Sequence, residues 1–222
     1  MPESLETLAQ SYQSGTLNSP TGSLNYRLLH PADSATPAAL VIFLHGAGER
    51  GSDNLQHLTH GAPAFLNPAI RTKHPAYVVA PQCPYGQWWS GRNLELVMEL
   101  IDTLCAEHPI DQNRVLITGI SMGGYGTWDL ITQHPQRFAA AVPICGGGNP
   151  DLAGRIQHLP VHVVHGTKDD VVFVDRSRLM VEALQKLNAP VQYTEYPDAL
   201  HDSWTDTYNN ESVLNWLFNQ SR

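Results

Sequence analysis

The chain has 222 residues, of which 42% are hydrophobic and 15% charged, and its 13 Lys and Arg residues against 21 Asp and Glu residues give a formal net charge of −8. This composition is typical of a single globular domain spanning residues 1–222, and an acidic chain without a Lys/Arg run is repelled by phosphate backbones and anionic lipid. We therefore expect neither nucleic acid nor a membrane surface as a partner. A small-molecule substrate remains open, and no oligomeric state is predicted.

The first ten residues carry Glu3 and Glu6 and lack a basic segment followed by an apolar one, so no signal peptide is predicted. No apolar run approaches the ~18 residues that cross a bilayer. The three cysteines, Cys83, Cys105 and Cys145, are odd in number and far apart, which favours unpaired thiols in a reducing compartment. We therefore expect a cytoplasmic protein.

Short apolar runs alternate with segments of helical period along the chain. Residues 23–30 are predicted to form an antiparallel edge strand, and six further strands are predicted at 40–44, 77–80, 115–117, 140–144, 161–164 and 191–194. Helices are predicted around 94–105, 122–134, 179–187 and 213–218. This alternation indicates an α/β fold with a mostly parallel central sheet and helices on both faces. Ligands of such sheets bind at the carboxyl ends of the strands.

The strand ending at Leu44 is followed by a glycine-rich run, 46–51, that spells G-x-G-x-x-G, the dinucleotide fingerprint. That fingerprint needs an acidic residue about 20 positions further on, and no Asp or Glu occurs from 54 through 94. We therefore predict no nucleotide cofactor. The run is better interpreted as a loop that turns the backbone N–H of Ala47 toward a nucleophile.

The strongest motif is G-x-S-x-G, formed by Gly119, Ser121 and Gly123 between a predicted strand and a predicted helix. A serine at such a tight turn has strained backbone geometry, and flanking glycines avoid steric clashes on either side. The turn exposes the Ser121 hydroxyl above the sheet. It also places the Met122 N–H at a helix N-terminus, where an anion is favoured.

A carboxylate and a histidine follow the next strands, which gives the chain order Ser, Asp, His. The carboxylate is Asp169 or Asp170, and the spacing alone leaves both open. His201 is the only histidine after the last predicted strand, whereas His165 and the other strand-end histidines are expected to belong to the scaffold. Together, the serine, the histidine and one carboxylate suffice for nucleophilic acyl transfer.

A metal site receives little support from the sequence. His57 and His60 are three residues apart, but no Cys or carboxylate cluster accompanies them. We therefore predict that the protein uses no metal and no other cofactor.

These motifs, in this order, resemble the phospholipase/carboxylesterase branch of the α/β-hydrolases, and in particular small bacterial esterases often labelled predicted peptidases. The resemblance covers about 24–217 and rests on the segments 44–51, 80–84, 118–128 and 165–172. In that family the pattern H-G-x-x-D-x-x-V carries the triad acid on its Asp. Laid on His165, the pattern selects Asp169, with Phe173 standing where the family often has proline.

The resemblance and the residues together predict a serine esterase in which Ser121, His201 and Asp169 form the triad, while Ala47 and Met122 supply the oxyanion hole. Between 144 and 161 only about 16 residues remain, too few for a cap domain, which favours short-chain or soluble esters. Trp89 and Trp204 are candidates for the pocket wall. The alternatives are a serine peptidase of the same fold and a non-catalytic or single-turnover ligand sensor on a hydrolase scaffold.

Overall fold

The computed structural model describes residues 4–33 and 36–222. Eight strands form one sheet in the order β1-β2-β4-β3-β5-β6-β7-β8, in which β1 and β2 run antiparallel to their neighbours and the pairs from β4 to β8 are parallel. The predicted α/β fold is confirmed. The strands are β1 Gln13–Ser19, β2 Gly22–Leu29, β3 Ala38–Leu44, β4 Ala76–Pro81, β5 Ile110–Ile120, β6 Ala140–Ile144, β7 Val161–Gly166 and β8 Val191–Tyr196.

Helices cover both faces of this sheet. The α-helices are α1 Leu5–Gln10, α2 Pro68–Lys73, α3 Arg92–Glu107, α4 Met122–Gln133, α5 Asp175–Lys186, α6 Ser203–Asn209 and α7 Glu211–Phe218. Helices α3, α4 and α5 pack into one hydrophobic core, and α1, α2, α6 and α7 pack into a second core on the opposite face. None of the described helices is both long and apolar enough to cross a membrane.

The central strands are apolar without interruption because both of their faces are covered. Every residue of β3 is buried. Successive side chains point to opposite faces, so Leu40 and Ile42 belong to the first core while Val41 and Phe43 belong to the second. The sheet is therefore a rigid base, and its carboxyl edge positions the loops described below.

One detail of the predicted fold changes. The strand predicted at 23–30 is present as β2, but β1 pairs outside it and takes the edge of the sheet. The sequence of β1 carries no strand pattern because Leu17 is its only buried side chain. Between β6 and β7 the structure has the 3-10 helix Pro150–Ile156 and no inserted cap among these described residues, as predicted.

Candidate active site

Ser121 occupies a strained turn between β5 and α4. Its backbone has φ 51° and ψ −113°, a conformation that side-chain-bearing residues rarely adopt. A Cβ on Gly119 would lie 2.3 Å from Gly123 O, and a Cβ on Gly123 would lie 1.9 Å from Leu44 O. Glycine at both flanks is therefore required by close backbone packing, and this packing fixes where the Ser121 hydroxyl projects.

The structure brings Ser121 together with the loops after β7 and β8. His201 Nε2 lies 2.9 Å from Ser121 Oγ, and His201 Nδ1 lies 2.7 Å from Asp169 Oδ2. Because an ionised carboxylate only accepts hydrogen bonds, Nδ1 carries the proton and Nε2 is free to accept from the serine hydroxyl. Asp169 is buried, whereas its neighbour Asp170 is exposed. Of the two carboxylates that the spacing left open, the structure brings Asp169 to His201.

Four hydrogen bonds surround the Asp169 carboxylate. Oδ1 accepts from the backbone N–H groups of Val171 at 2.9 Å and Val172 at 2.8 Å, and Oδ2 faces His201 and also His165. Burial by itself raises the pKa of Asp169, but the hydrogen bonds from His201 and from the two backbone N–H groups outweigh burial and lower this pKa below its ordinary value. Asp169 is therefore held as an anion.

The sequence prediction assigned His165 to the scaffold and missed its contact with the site. His165 is the buried penultimate residue of β7, and its Nε2 lies 3.1 Å from Asp169 Oδ2 and 2.8 Å from Val172 O. Its Nδ1 lies 2.7 Å from Ser177 Oγ. No local pattern signals this contact, because His165 lies on β7 and Asp169 lies in the loop that follows, so their spacing of four residues has no helical meaning.

The loop after β3 lies directly beside the Ser121 turn. Ala47 begins a 3-10 helix, Ala47–Glu49, and Met122 begins α4, so both N–H groups belong to first helical turns, where intrahelical acceptors are lacking. Gly123 rests against the end of β3, which brings these two helix starts into adjacent positions. The geometry is compatible with the predicted pair of oxyanion donors.

A buried histidine supports the loop after β3. His45 Nδ1 donates to Gly46 O at 2.6 Å, and Nε2 accepts from the Cys83 N–H at 2.9 Å. Burial lowers the pKa of His45 to about 4, although its hydrogen bond to Gly46 O opposes the shift. His45 is therefore a neutral imidazole with one fixed tautomer at neutral pH.

The two tryptophans predicted at the pocket wall have different surroundings. Trp89 is 2% exposed, packs in the first core and donates its indole N–H to His45 O at 3.0 Å. The prediction for Trp89 is therefore wrong, because the side chain turns inward to support the β3 loop. Trp204 is partly exposed and meets the His201 ring edge-on at 5.3 Å between ring centroids.

Trp204 also borders a cleft of about 330 Å³ between α6 and the segment after β3. Its lining consists of neutral polar, aromatic and small side chains together with one histidine: Thr59, His60, Gly61, Pro63, Ala64, Asn67, Trp204, Thr205, Tyr208 and Asn209. The His60 ring lies 5.6 Å from the Trp204 ring, on the cleft side. The cleft thus begins at the residue that contacts His201.

The structure does not join His57 and His60 into a metal site. His57 is fully buried beside His45, whereas His60 is partly exposed and lies 3.9 Å from a Glu49 carboxylate oxygen. In the described part of the chain, one group of three potential ligands converges, namely Cys145, Asp169 and His201. Two of these are hydrogen-bonded to each other, and burial raises the pKa of the Cys145 thiol, so the donor set does not favour a metal.

Comparison with known proteins gives a consistent family. The model of the dienelactone hydrolase family matches residues 85–213. A bifunctional acetylxylan esterase/xylanase of Neocallimastix patriciarum is 38% identical over 147 residues, which are 64% of this chain and 21% of that protein. Poly(3-hydroxyalkanoate) depolymerase C of Paucimonas lemoignei is 30% identical over 131 residues, which are 53% of this chain and 30% of that protein.

Among solved structures, a thermostable esterase superimposes with a TM-score of 0.93 at 39% identity, over 97% of this chain and 64% of that one. An S-formylglutathione hydrolase of Staphylococcus aureus has a TM-score of 0.72 at 18% identity, over 94% of this chain and 98% of its own, and shares the fold. The chain spans 21% to 30% of the two curated relatives. These matches confirm the resemblance to the α/β-hydrolases.

Proposed function

We propose that this chain, which belongs to the dienelactone hydrolase family, is a serine esterase. It cleaves carboxylic esters through an acyl-enzyme on Ser121. The observation that carries this proposal is the hydrogen-bonded series from Ser121 through His201 to Asp169, at 2.9 and 2.7 Å. The likeness to a thermostable esterase over 97% of the chain supports the ester as the reacting bond.

Each residue of the site has a defined role in the proposed reaction. Ser121 Oγ attacks the ester carbonyl while His201 Nε2 takes its proton, and Asp169 stabilises the resulting imidazolium. The N–H groups of Ala47 and Met122 hold the oxyanion. His201 then protonates the leaving alcohol, and a water molecule activated by the same imidazole releases the acid from Ser121.

The surroundings of the triad support a short acyl group on a neutral alcohol. The cleft beside Trp204 offers neutral hydrogen-bonding groups, Thr59, Asn67, Thr205 and Asn209, together with aromatic surface. The described residues between β6 and β7 form no cap over the site. The name of the Neocallimastix relative, an acetylxylan esterase/xylanase, supports acetyl esters of hydroxyl-rich alcohols as the first substrates to test.

Ser121→Ala tests the proposal directly. It removes one hydroxyl without disturbing the turn, so we expect unchanged folding and a kcat lower by at least about 10³-fold. Substrates are p-nitrophenyl esters from acetate to palmitate, acetylated xylo-oligosaccharides and peptide anilides. Activity should be highest on acetyl and other short acyl esters.

A fluorophosphonate probe provides the matched control. The probe should label the wild-type protein and the Ser90→Ala variant, whose altered serine is exposed, but not Ser121→Ala. Hydrolysis by Ser121→Ala within tenfold of wild type would refute the nucleophile. Faster cleavage of peptide anilides than of esters would favour a peptidase, and labelling without turnover of any substrate would favour a sensor.

A further inference from the structure

One oxygen of the Asp169 carboxylate is shared by two imidazoles. Oδ2 lies 2.7 Å from His201 Nδ1 and 3.1 Å from His165 Nε2. The reaction proposed above uses the first imidazole and leaves the second without a role. Both the His165 and the Asp169 side chains are fully buried, so water does not compete for this contact.

The partners of His165 determine where its proton lies. Nε2 faces two acceptors, Asp169 Oδ2 and Val172 O, so Nε2 must carry hydrogen. Nδ1 faces the Ser177 hydroxyl at 2.7 Å, and that hydroxyl also lies 3.1 Å from Gly146 O. Burial lowers the pKa of His165 more than its acceptor contacts raise it, which favours the neutral ring. A hydroxyl has only one hydrogen, so with the neutral ring Ser177 donates it to Nδ1, the nearer of its two acceptors, rather than to Gly146 O.

We propose that His165 is a positioning residue for the triad acid: its Nε2–H holds Asp169 Oδ2 and moderates the negative charge that this oxygen presents to His201. The proposal rests on the function proposed above. Val171 and Val172 hold Oδ1 through their N–H groups, so the donor on Oδ2 completes the restraint and prevents rotation of the carboxylate. A donor on Oδ2 also weakens the carboxylate as an acceptor from the imidazolium.

Other ionisable groups near this pair lie on each neighbouring element. They are Cys145 after β6, Tyr125 on α4, Glu195 on β8 and Asp202 beside His201. Burial raises the pKa of the Cys145 thiol and of the Tyr125 phenol, so both are neutral at neutral pH. Glu195 is paired with Arg178 at 2.8 Å. Among the side chains, the two histidines are therefore the groups that contact the Asp169 carboxylate directly.

The test compares His165→Gln with His165→Leu. The Gln amide can place a donor where Nε2 lies, whereas Leu removes the donor at similar volume. We expect His165→Leu to lower kcat about 100-fold with KM changed less than about threefold. We also expect the acidic limb of its kcat/KM profile to move up by about one pH unit, because an unmoderated carboxylate favours the imidazolium. His165→Gln should recover at least tenfold in kcat and return the limb to the wild-type position.

His162→Leu is the matched control on the same strand. His162 is also buried, but it bonds Thr194 Oγ1 at 2.9 Å and packs on Trp216, away from Asp169. It should lower Tm without moving the acidic limb. If His165→Leu does not fold, Ser177→Ala, which removes the hydroxyl that holds the His165 ring at Nδ1, should move the limb in the same direction by a smaller amount.

A limb that stays in place or moves to lower pH in the folded His165→Leu protein, or a Gln variant no better than Leu, would overturn the proposal. Either result would leave His165 with a packing role only. Failure of the proposed function itself has a different signature, because the wild-type protein would then hydrolyse none of the esters.

Discussion

The dipeptide His-Gly stands at the carboxyl end of two parallel strands: His45-Gly46 directly follows β3, and His165-Gly166 forms the last two residues of β7. Both histidines are fully buried, and both stand beside the loop that follows their strand. Their partners differ. His45 bonds to backbone groups, whereas His165 bonds to the side chain of Asp169.

This difference matches what each loop contributes to the site. The loop after β3 offers backbone N–H groups, so its histidine needs only to hold the path of the main chain. The loops after β7 and β8 offer side chains, so their supporting histidine acts on a carboxylate. The same dipeptide at the carboxyl end of a strand thus acquires its role from the hydrogen-bond partners of its histidine, and substitutions should affect the two loops differently.

The largest effect is expected on the side-chain loops. Asp169→Asn should lower kcat by about 10⁴-fold, because an amide can present a donor to Nδ1 and stabilise the wrong tautomer of His201. Asp170→Asn, an exposed neighbour with the same chemical change, should alter kcat by less than about threefold. Steady-state kinetics on a short-chain ester would measure kcat for both variants. Equal losses of kcat would show that Asp169 has no role that Asp170 lacks.

An intermediate effect is expected where the β3 loop meets the nucleophile turn. Gly123→Ala places a methyl group 1.9 Å from Leu44 O, so we expect a cost of about 1–3 kcal/mol in stability and a loss of at least about 100-fold in kcat/KM. Gly48→Ala, in the loop after β3, is the control, because its added methyl group meets no atom within 4 Å. It should retain wild-type activity and Tm. A fully active Gly123→Ala protein would show that close packing of Gly123 against Leu44 does not fix the position of the Ser121 turn.

The smallest effect on activity is expected from the buried histidines near the loop after β3, which instead determine the pH dependence of stability. Burial lowers the pKa of His45 to about 4 and that of His57 to about 3, whereas both titrate near ~6.5 in the unfolded chain. Below pH 6.5 the unfolded chain therefore binds more protons, and the free energy of unfolding falls as the pH drops. Each histidine contributes up to about 1.4 kcal/mol per pH unit down to its folded pKa.

Urea denaturation between pH 7 and pH 4 measures this slope. His57→Gln removes one of the two buried imidazoles and should flatten the slope, whereas the exposed His134→Gln should leave it unchanged. An unchanged slope in His57→Gln would mean that the scaffold histidines of the β3 side do not limit stability in acid. A flattened slope would show that His57 affects stability in acid, in contrast to His165, whose substitution is expected to change activity.

The sequence predicts the strands of the sheet well where burial on both faces demands continuous apolar runs, as in β3. Edge strand β1 and the short helices α1, α2 and α6 escaped prediction, because each buries few side chains and its pattern is mostly polar. In the site, the glycines around Ser121 reveal the turn, since no other residue fits. The inward turn of Trp89 and the contact of His165 depend on tertiary packing, which no local pattern encodes.

Backbone segments are closely packed around the Ser121 turn, and this packing limits which positions of the protein can vary. A Cβ on Gly124 would lie 2.5 Å from Ile144 O, and one on Gly146 would lie 2.6 Å from the Gly124 carbonyl carbon. The exposed apolar side chains of nearby loops, Tyr85, Val171, Phe173 and Leu200, carry no such restriction. A mutant library that randomises these four positions should retain many folded members with altered ester preference, whereas one that includes Gly123, Gly124 or Gly146 should lose most of them.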